Sequence, residues 1–313
     1  MTRVVVLGAS GFIGSGITRA LARADVSLRV VARRPTPAPA HVEVRAADLT
    51  DGVAEHVADA DAVVHLAAYT DGGWRVADGD TVAERVNVGL VADLVDALRG
   101  RPSPPVVLFA GTETQVGLTE RVRIDGSEPD NPRSAYTRQK LAAENLLKDA
   151  TAEGVLRGVS LRLPTVYGQG PETTARDKGV VALMVRKAFA DEPLTMWHDG
   201  TVRRDFVYID DVTAAFVSAL DNADALAGKH YVLGSGVGEP LGKVFAEIAA
   251  RVSATTGRPP VPVVSVPPPG HAEPTDLKSV EVDASAFRAV TGWEPRVPLT
   301  EGIRRTVASI AGE

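Results

Sequence analysis

The sequence contains no cysteine among its 313 residues, which excludes disulfides, thiolate metal ligands and thiol nucleophiles. Its six histidines form no H-x-H or H-E-x-x-H pair, so no metal site is predicted. The net charge of −6 argues against a nucleic-acid-binding protein. No apolar run has the length of a membrane span, and the segment before the first glycine is too short for a signal peptide. We therefore expect a cytoplasmic protein that does not enter the membrane.

A short apolar run near the amino terminus leads into three evenly spaced glycines. Val4–Leu7 is typical of a buried strand, and Gly8, Gly11 and Gly14 follow it. A side chain at Gly8 or Gly11 would keep a pyrophosphate away from the backbone N–H groups and the positive end of the next helix. The spacing is G-x-x-G-x-x-G rather than G-x-G-x-x-G, and a plain turn is the alternative. The stretch predicts a dinucleotide site that also includes Ser10, Phe12 and Ile13.

Two arginines follow the second predicted strand. Helical spacing over 12–24 and an apolar run over 26–31 complete a βαβ unit. A NAD-binding protein usually has an acidic residue at the end of this strand to hold the ribose diol, but Arg33 and Arg34 stand here. Two guanidinium groups suit a 2′-phosphate, so we infer NADP (as NADPH) rather than NAD. The alternative is a solvated arginine pair at the start of a loop.

The next two predicted strands, over 42–46 and 62–66, also end in candidate cofactor residues. Ligands of open parallel sheets bind beyond the carboxyl ends of the strands. We therefore expect Asp48 to accept a hydrogen bond from adenine, although a simple loop role is equally consistent. The segment 70–79 is expected to be a loop near the substrate. The other residues expected to contact the dinucleotide here are Leu49, Leu66, Ala67 and Ala68.

Tyr136 and Lys140 lie four residues apart on a helix predicted to begin at Ser134 and run to about Glu153. They share one face, and a fixed cation beside a phenol favours its ionised form, so we expect a lowered pKa for Tyr136. Such a tyrosine can protonate a ketone oxygen as hydride arrives. Thr112, at the end of a fifth predicted strand, offers a hydrogen bond to the same oxygen. The alternative is that Y-x-x-x-K has arisen by chance.

Several motifs in order resemble the extended short-chain dehydrogenase/reductase family. They are GASGFIG at the amino terminus, Asp48, HLAA, Asn87, the polar strand end at Thr112, YTRQK at 136–140, LRLPTVYGQG, RRDFVYIDDV and AVTGWEPRVPL. The resemblance implies an α/β fold: a Rossmann doubly wound parallel sheet with a smaller carboxyl-terminal substrate-binding lobe. We expect the dinucleotide-binding domain over 1–165 and the lobe mainly over 166–313, with about 205–235 returning to the first domain.

The resemblance also implies the roles of individual residues. Tyr136 is the expected acid/base, Lys140 binds the ribose and lowers the pKa of the phenol, Thr112 is the third catalytic member and Asn87 supports them. Arg162 begins the segment that passes the nicotinamide, and Pro164 in that segment is expected to contact the cofactor. Thr165 replaces an asparagine that is common in the family, which leaves the local substrate contact open.

Arg204 occupies the position at which the family holds the diphosphate of a nucleotide sugar, with an ion pair to Asp205 as the structural alternative. Glu113, Thr165, Lys178 and Lys278 are the other expected substrate contacts, together with Thr112. Thr114 stands where the dehydratases of the family place their elimination base, so dehydration is not expected.

Within the family, the sequence most resembles ketoreductases that reduce the 4-keto group of dTDP-activated deoxysugars for natural-product glycosylation. Arg33 and Arg34 favour a net reductase, because such enzymes commonly draw on NADPH. The alternatives are a NAD-dependent nucleotide-sugar 4-epimerase, a reductase of another small ketone, and a non-catalytic NADP-binding protein. The family often pairs through two long helices, so we expect a homodimer through the helices near 81–98 and 134–153.

Overall fold

The computed structural model describes residues 2–34, 36–69, 76–168, 177–270 and 272–312. Within those residues, no helix combines the length and apolar character needed to cross a membrane. The strands are β1 (Thr2–Leu7), β2 (Val26–Ala32), β3 (Glu43–Ala46), β4 (Ala62–His65), β5 (Val106–Thr112), β6 (Arg123–Ile124), β7 (Arg157–Leu163), β8 (Thr165–Tyr167), β9 (Leu194–Met196), β10 (Arg203–Tyr208), β11 (Lys229–Val232), β12 (Gly238–Pro240), β13 (Val263–Ser265) and β14 (Glu281–Val282).

The helices are α1 (Phe12–Leu21), α2 (Ala54–Val57), α3 (Thr81–Glu84), α4 (Leu90–Leu98), α5 (Ala135–Ala152), α6 (Val180–Phe189), α7 (Ile209–Asp221), α8 (Ala223–Leu226), α9 (Leu241–Thr256), α10 (Ser285–Thr291) and α11 (Leu299–Ala311). A π-helical segment over Arg85–Gly89 joins α3 to α4. The predicted helix over 81–98 is thus present with one widened turn. Ser134 caps α5 by accepting a hydrogen bond from the N–H of Thr137, as the sequence predicts.

Seven parallel strands form the central sheet in the order β11-β7-β5-β4-β1-β2-β3. The order reverses between β1 and β4, which is the switch point of a doubly wound sheet. Alternate residues of β1 face opposite layers: Val4 and Val6 pack with α1 and α7, and Val5 and Leu7 pack with α4 and α5. The predicted fold class is confirmed.

A third apolar core lies among α6, α9, α11 and the strands β8 and β10. Tyr167 and Phe206 stack edge to face within it, with ring centroids 5.9 Å apart. The strand β10 pairs with β8 and β12 in a separate three-stranded sheet, whereas β11 returns to the central sheet beside β7. The predicted division of the chain at residue 165 stays a prediction.

The turn from β1 into α1 depends on the absence of side chains. Gly8 has a positive φ of 85°, and a Cβ atom on it would lie 2.7 Å from the backbone N of Ala67. A Cβ atom on Gly14 would overlap the carbonyl oxygen of Gly8 and lie 2.9 Å from the Cα of Ala9. These contacts are with backbone atoms, which cannot move aside as a flexible side chain can.

We therefore expect Gly14→Ala to destabilise the protein by roughly 1–3 kcal/mol through overpacking. The free energy of unfolding from urea titration measures this cost. Gly270→Ala is the matched control, because a Cβ atom on Gly270 meets no heavy atom within 4 Å. Equal stabilities for the two variants would contradict this account of the turn.

Candidate active site

The predicted cofactor and catalytic segments meet at the carboxyl edge of the central sheet. In the strand registers, Leu7 of β1 pairs with His65 of β4, and Thr112 of β5 pairs with Leu163 of β7. Four predicted segments therefore lie at the carboxyl ends of neighbouring strands. They are the glycine turn, Leu66–Ala68, Thr112 and Pro164. This edge is where open α/β sheets bind their ligands.

The amino terminus of α1 opens onto this edge. The Gly11 N–H donates to the Gly8 carbonyl at 3.0 Å, and the Gly8 N–H donates to the Val31 carbonyl at 2.9 Å, so both bonds shape the turn itself. Gly11 occupies the cap position of α1, and no side chain caps the helix. The first-turn N–H groups of Phe12 and Ile13 therefore have no partner within the helix and suit an anion.

At the end of β2, Arg33 and Arg34 are exposed, as a phosphate-binding pair requires. Asp48, beyond β3, is also exposed, and its Oδ1 accepts hydrogen bonds from the N–H of Thr50 at 2.9 Å and the hydroxyl of Thr50 at 2.7 Å. These bonds hold the pKa of Asp48 below its usual value. Asp48 thus takes part in a local turn, and its contact with adenine stays a prediction. Leu49 beside it is buried.

Asn87 lies buried in the π-helical segment and joins the end of β4 to α5. Its Oδ1 accepts from the N–H of Tyr69 at 2.9 Å, and its Nδ2 donates to Gln139 Oε1 at 2.8 Å. The supporting role that the resemblance implies for Asn87 is therefore compatible with its contacts. Gln139 was not predicted. Of the expected substrate loop at 70–79, residues 70–75 lie outside the described residues.

Thr112, Tyr136 and Lys140 come together around the end of β5. The Lys140 ammonium is buried, donates to the Ala110 carbonyl at 2.9 Å, and lies 5.9 Å from the centroid of the Tyr136 ring. Burial lowers the pKa of Lys140 to about 8. The Thr112 hydroxyl lies 2.8 Å from that of Thr114, at the start of a 3-10 turn over Glu113–Val116.

The prediction that Lys140 lowers the pKa of Tyr136 is wrong for this structure. Burial raises the pKa of Tyr136, and the negative charge of Glu113 raises it further. The Lys140 ammonium donates a hydrogen bond to a backbone carbonyl of β5. The phenol is therefore held in its protonated form at neutral pH.

Glu113 is 8% exposed and directly follows Thr112. Burial raises its pKa to about 7, although the positive charges of Arg204 and Lys278 oppose this rise. The charges of Arg204 and Lys278 therefore act on Glu113, and the substrate contacts of the three residues stay a prediction.

The Arg204 guanidinium is hydrogen-bonded to backbone carbonyls. It donates to the carbonyls of Thr275 at 2.9 Å, Asp276 at 2.7 Å and Lys278, so it holds the 275–278 segment against β10. The alternative ion pair with Asp205 is wrong, because the Asp205 carboxylate accepts the N–H groups of Ser235, Gly236 and Val282. The diphosphate contact of Arg204 stays a prediction.

The remaining predicted substrate residues lie on different elements. Thr165 is half-buried at the start of β8, Lys178 is exposed just before α6, and Lys278 donates to the Thr119 carbonyl. Arg162, which begins the segment expected to pass the nicotinamide, has its side chain buried between β7 and α5 and bonded to Glu144 and Asp130. Sequence reasoning missed Glu144, although it repeats the four-residue spacing of Tyr136 and Lys140.

The family model of the NAD dependent epimerase/dehydratase family matches residues 4–234. The chain is 29% identical to a dTDP-L-rhamnose 4-epimerase of Burkholderia thailandensis, over 99% of this chain and 95% of the relative. It is 30% identical to a UDP-glucose 4-epimerase of Mycolicibacterium smegmatis, over 97% of each. A dTDP-6-deoxy-L-talose 4-dehydrogenase (NAD(P)(+)) of Kitasatospora kifunensis is 28% identical, over 96% of this chain and 93% of the relative.

Among solved structures, MoeE5 in complex with UDP-glucose and NAD superposes with a TM-score of 0.83. The two chains share 26% identity, and the alignment covers 99% of each. The family model runs from β1, through the glycine turn and the Tyr136 helix, to β11 at one edge of the central sheet. The resemblance drawn from the motifs is thereby confirmed at the level of the family, and this chain belongs to the NAD dependent epimerase/dehydratase family.

Proposed function

We propose that this protein catalyses the NADPH-dependent reduction of the 4-keto group of a dTDP-activated deoxysugar. The observation that carries the proposal is the placement of Thr112, Tyr136 and Lys140 around the end of β5, at the sheet edge that also holds the glycine turn. When bound, NADPH supplies the hydride. The chain's own residues must then orient the ketone and deliver one proton to its oxygen.

Tyr136 is the proposed proton donor. A tyrosine is protonated at neutral pH even at its ordinary pKa, and burial and Glu113 raise the pKa of Tyr136 further, so the phenol holds the proton that completes the alcohol. Thr112 offers a hydrogen bond to the same oxygen. Lys140 remains largely charged at neutral pH, since its pKa is about 8, and its ammonium is assigned to the ribose of the cofactor.

The substrate class rests on the relatives and on two local features. Two relatives act on dTDP sugars at carbon 4, according to their names. Thr114 stands where a dehydratase would place its elimination base, which favours reduction over loss of water. Arg204 and Lys278, near Glu113, supply positive charge for a diphosphate, provided that Arg204 exchanges at least one of its backbone carbonyl partners for a phosphate oxygen.

A nucleotide-sugar 4-epimerase is the second candidate, favoured by identities of 29% and 30% to two such enzymes. An epimerase retains its dinucleotide and interconverts two sugars without added reductant. Incubation of the purified protein with dTDP-4-keto-6-deoxyglucose and NADPH distinguishes the two, because only a reductase consumes NADPH in proportion to product. Cofactor binding without turnover of any nucleotide sugar would instead indicate a non-catalytic protein.

We expect Tyr136→Phe to lower kcat by roughly 10²–10⁴-fold, because the variant cannot donate the proton. Its Kd for NADPH, from fluorescence titration, should change little. Tyr231→Phe, within the core between β11 and α10, is the matched control and should keep normal turnover. Normal activity of Tyr136→Phe would refute the assignment of the acid.

Arg33→Ala and Arg34→Ala test the choice of dinucleotide. Loss of a charge-assisted hydrogen bond to the 2′-phosphate should raise the KM for NADPH by about 10- to 100-fold and leave that for NADH nearly unchanged. Arg23→Ala, just beyond the far end of α1, controls for a general loss of positive charge. An unaltered preference for NADPH in both variants would mean that the arginines do not bind the phosphate.

A further inference from the structure

A group of buried polar side chains lies beside the end of β5, where β7 and α5 meet. Gln115, Glu144, Ser160 and Arg162 are each 3% exposed or less. Such groups are costly to bury unless they are fully hydrogen-bonded. Nothing in the proposed chemistry uses them directly, so their arrangement needs a separate explanation.

Gln115 joins the strand that carries Thr112 to the helix that carries Tyr136. Its Oε1 accepts from the backbone N–H of Thr112 at 2.9 Å, and its Nε2 donates to Glu144 Oε2 at 3.1 Å. Lys140 makes a second tie between the same elements through the Ala110 carbonyl. The helix α5 is therefore tied to the end of β5 directly by Lys140 and, one helical turn further on, by Glu144 through Gln115.

Glu144 is itself held on several sides. Its carboxylate accepts hydrogen bonds from Arg162 at 2.7 and 3.1 Å, from Ser160 at 2.8 Å and from Lys148 at 2.7 Å. Burial alone would raise its pKa, but the bonds from His230, Arg162 and Lys148 hold the pKa far below its usual range. An ionised carboxylate with this many partners presents a fixed acceptor to Gln115.

We propose that Gln115 and Glu144 are positioning residues that fix the Thr112 hydroxyl relative to Tyr136; the inference rests on the proposed function of that pair. The Gln115 amide accepts the Thr112 N–H with its oxygen and donates to the Glu144 carboxylate with its nitrogen. Gly111 makes room for it, because a Cβ atom there would lie 2.9 Å from Gln115 Oε1. The Gln115 amide thus links the Thr112 backbone to Glu144 on α5, the helix that carries Tyr136.

Gln115→Met tests the proposal by removing both bonds while keeping a similar volume. A displaced Thr112 should lower kcat by roughly 10- to 100-fold, with the KM for NADPH unchanged. Thr151→Val is the matched control: Thr151 also ties α5 to the sheet, by accepting the N–H of Gly158 at 2.9 Å, but it lies far from Thr112. The control should lose stability without losing turnover.

Gln115→Glu supplies a readout that a merely structural role would not move. The new carboxyl must be protonated to donate to Glu144, and the adjacent carboxylate raises its pKa. Activity relative to the parent protein should therefore rise as pH falls and decline as pH rises. Other charged groups lie near the Glu144 carboxylate, which faces Arg162, Lys148 and His230, and Asp130 pairs with Arg162. Because these groups are unchanged in Thr151→Val, the pH–activity profile of Gln115→Glu is also compared with that of Thr151→Val.

A kcat of Gln115→Met within twofold of the parent value, or a Gln115→Glu activity ratio that does not vary with pH, would overturn the inference. If the parent protein reduces no dTDP-4-keto-6-deoxyglucose, the proposed function fails instead, and hydrogen exchange of the Thr112 N–H still tests the positioning. Exchange should be faster in Gln115→Met than in the parent protein and in Thr151→Val. Equal rates in all three would refute the role of Gln115.

Discussion

The buried ion pair between Glu144 and Arg162 is the interaction on which the geometry of the site depends. Glu144 lies on α5, the helix of Tyr136 and Lys140, and Arg162 lies on β7, beside the strand of Thr112. Two charges buried this deeply stay in place only while each has its partners, since an unpaired buried charge is strongly unfavourable. The ion pair therefore fixes the helix that carries Tyr136 against β7, and Gln115 links the same carboxylate to the backbone of Thr112.

Local patterns were enough to predict the fold class and the helix that carries Tyr136 and Lys140. The apolar run before Gly8 and the helical spacing after it correspond to β1 and α1, and Ser134 caps α5 where its side chain predicts. Such features depend on neighbours a few residues apart. The same reasoning placed Tyr136 and Lys140 on one helical face, which requires only the pitch of the helix.

Contacts between distant segments account for what the sequence did not reveal. Gln115 and Glu144 are 29 residues apart, and Arg204 reaches carbonyls more than 70 residues further along the chain. The direction of the Tyr136 pKa shift also depends on groups outside its own helix, because burial and Glu113 cause it. Spacing on a helix brings an ammonium near a phenol, but it does not determine how deeply the phenol is buried or that Glu113 lies near it.

The charge of Glu113 links the acidity of Tyr136 to pH. The negative charge of Glu113 raises the pKa of the phenol, and the pKa of Glu113, about 7, makes that charge depend on pH near neutrality. A phenol with a higher pKa is a weaker proton donor, so protonation of Glu113 makes Tyr136 the stronger acid. Burial of Glu113 therefore favours the form of this carboxyl group in which Tyr136 gives up its proton most readily.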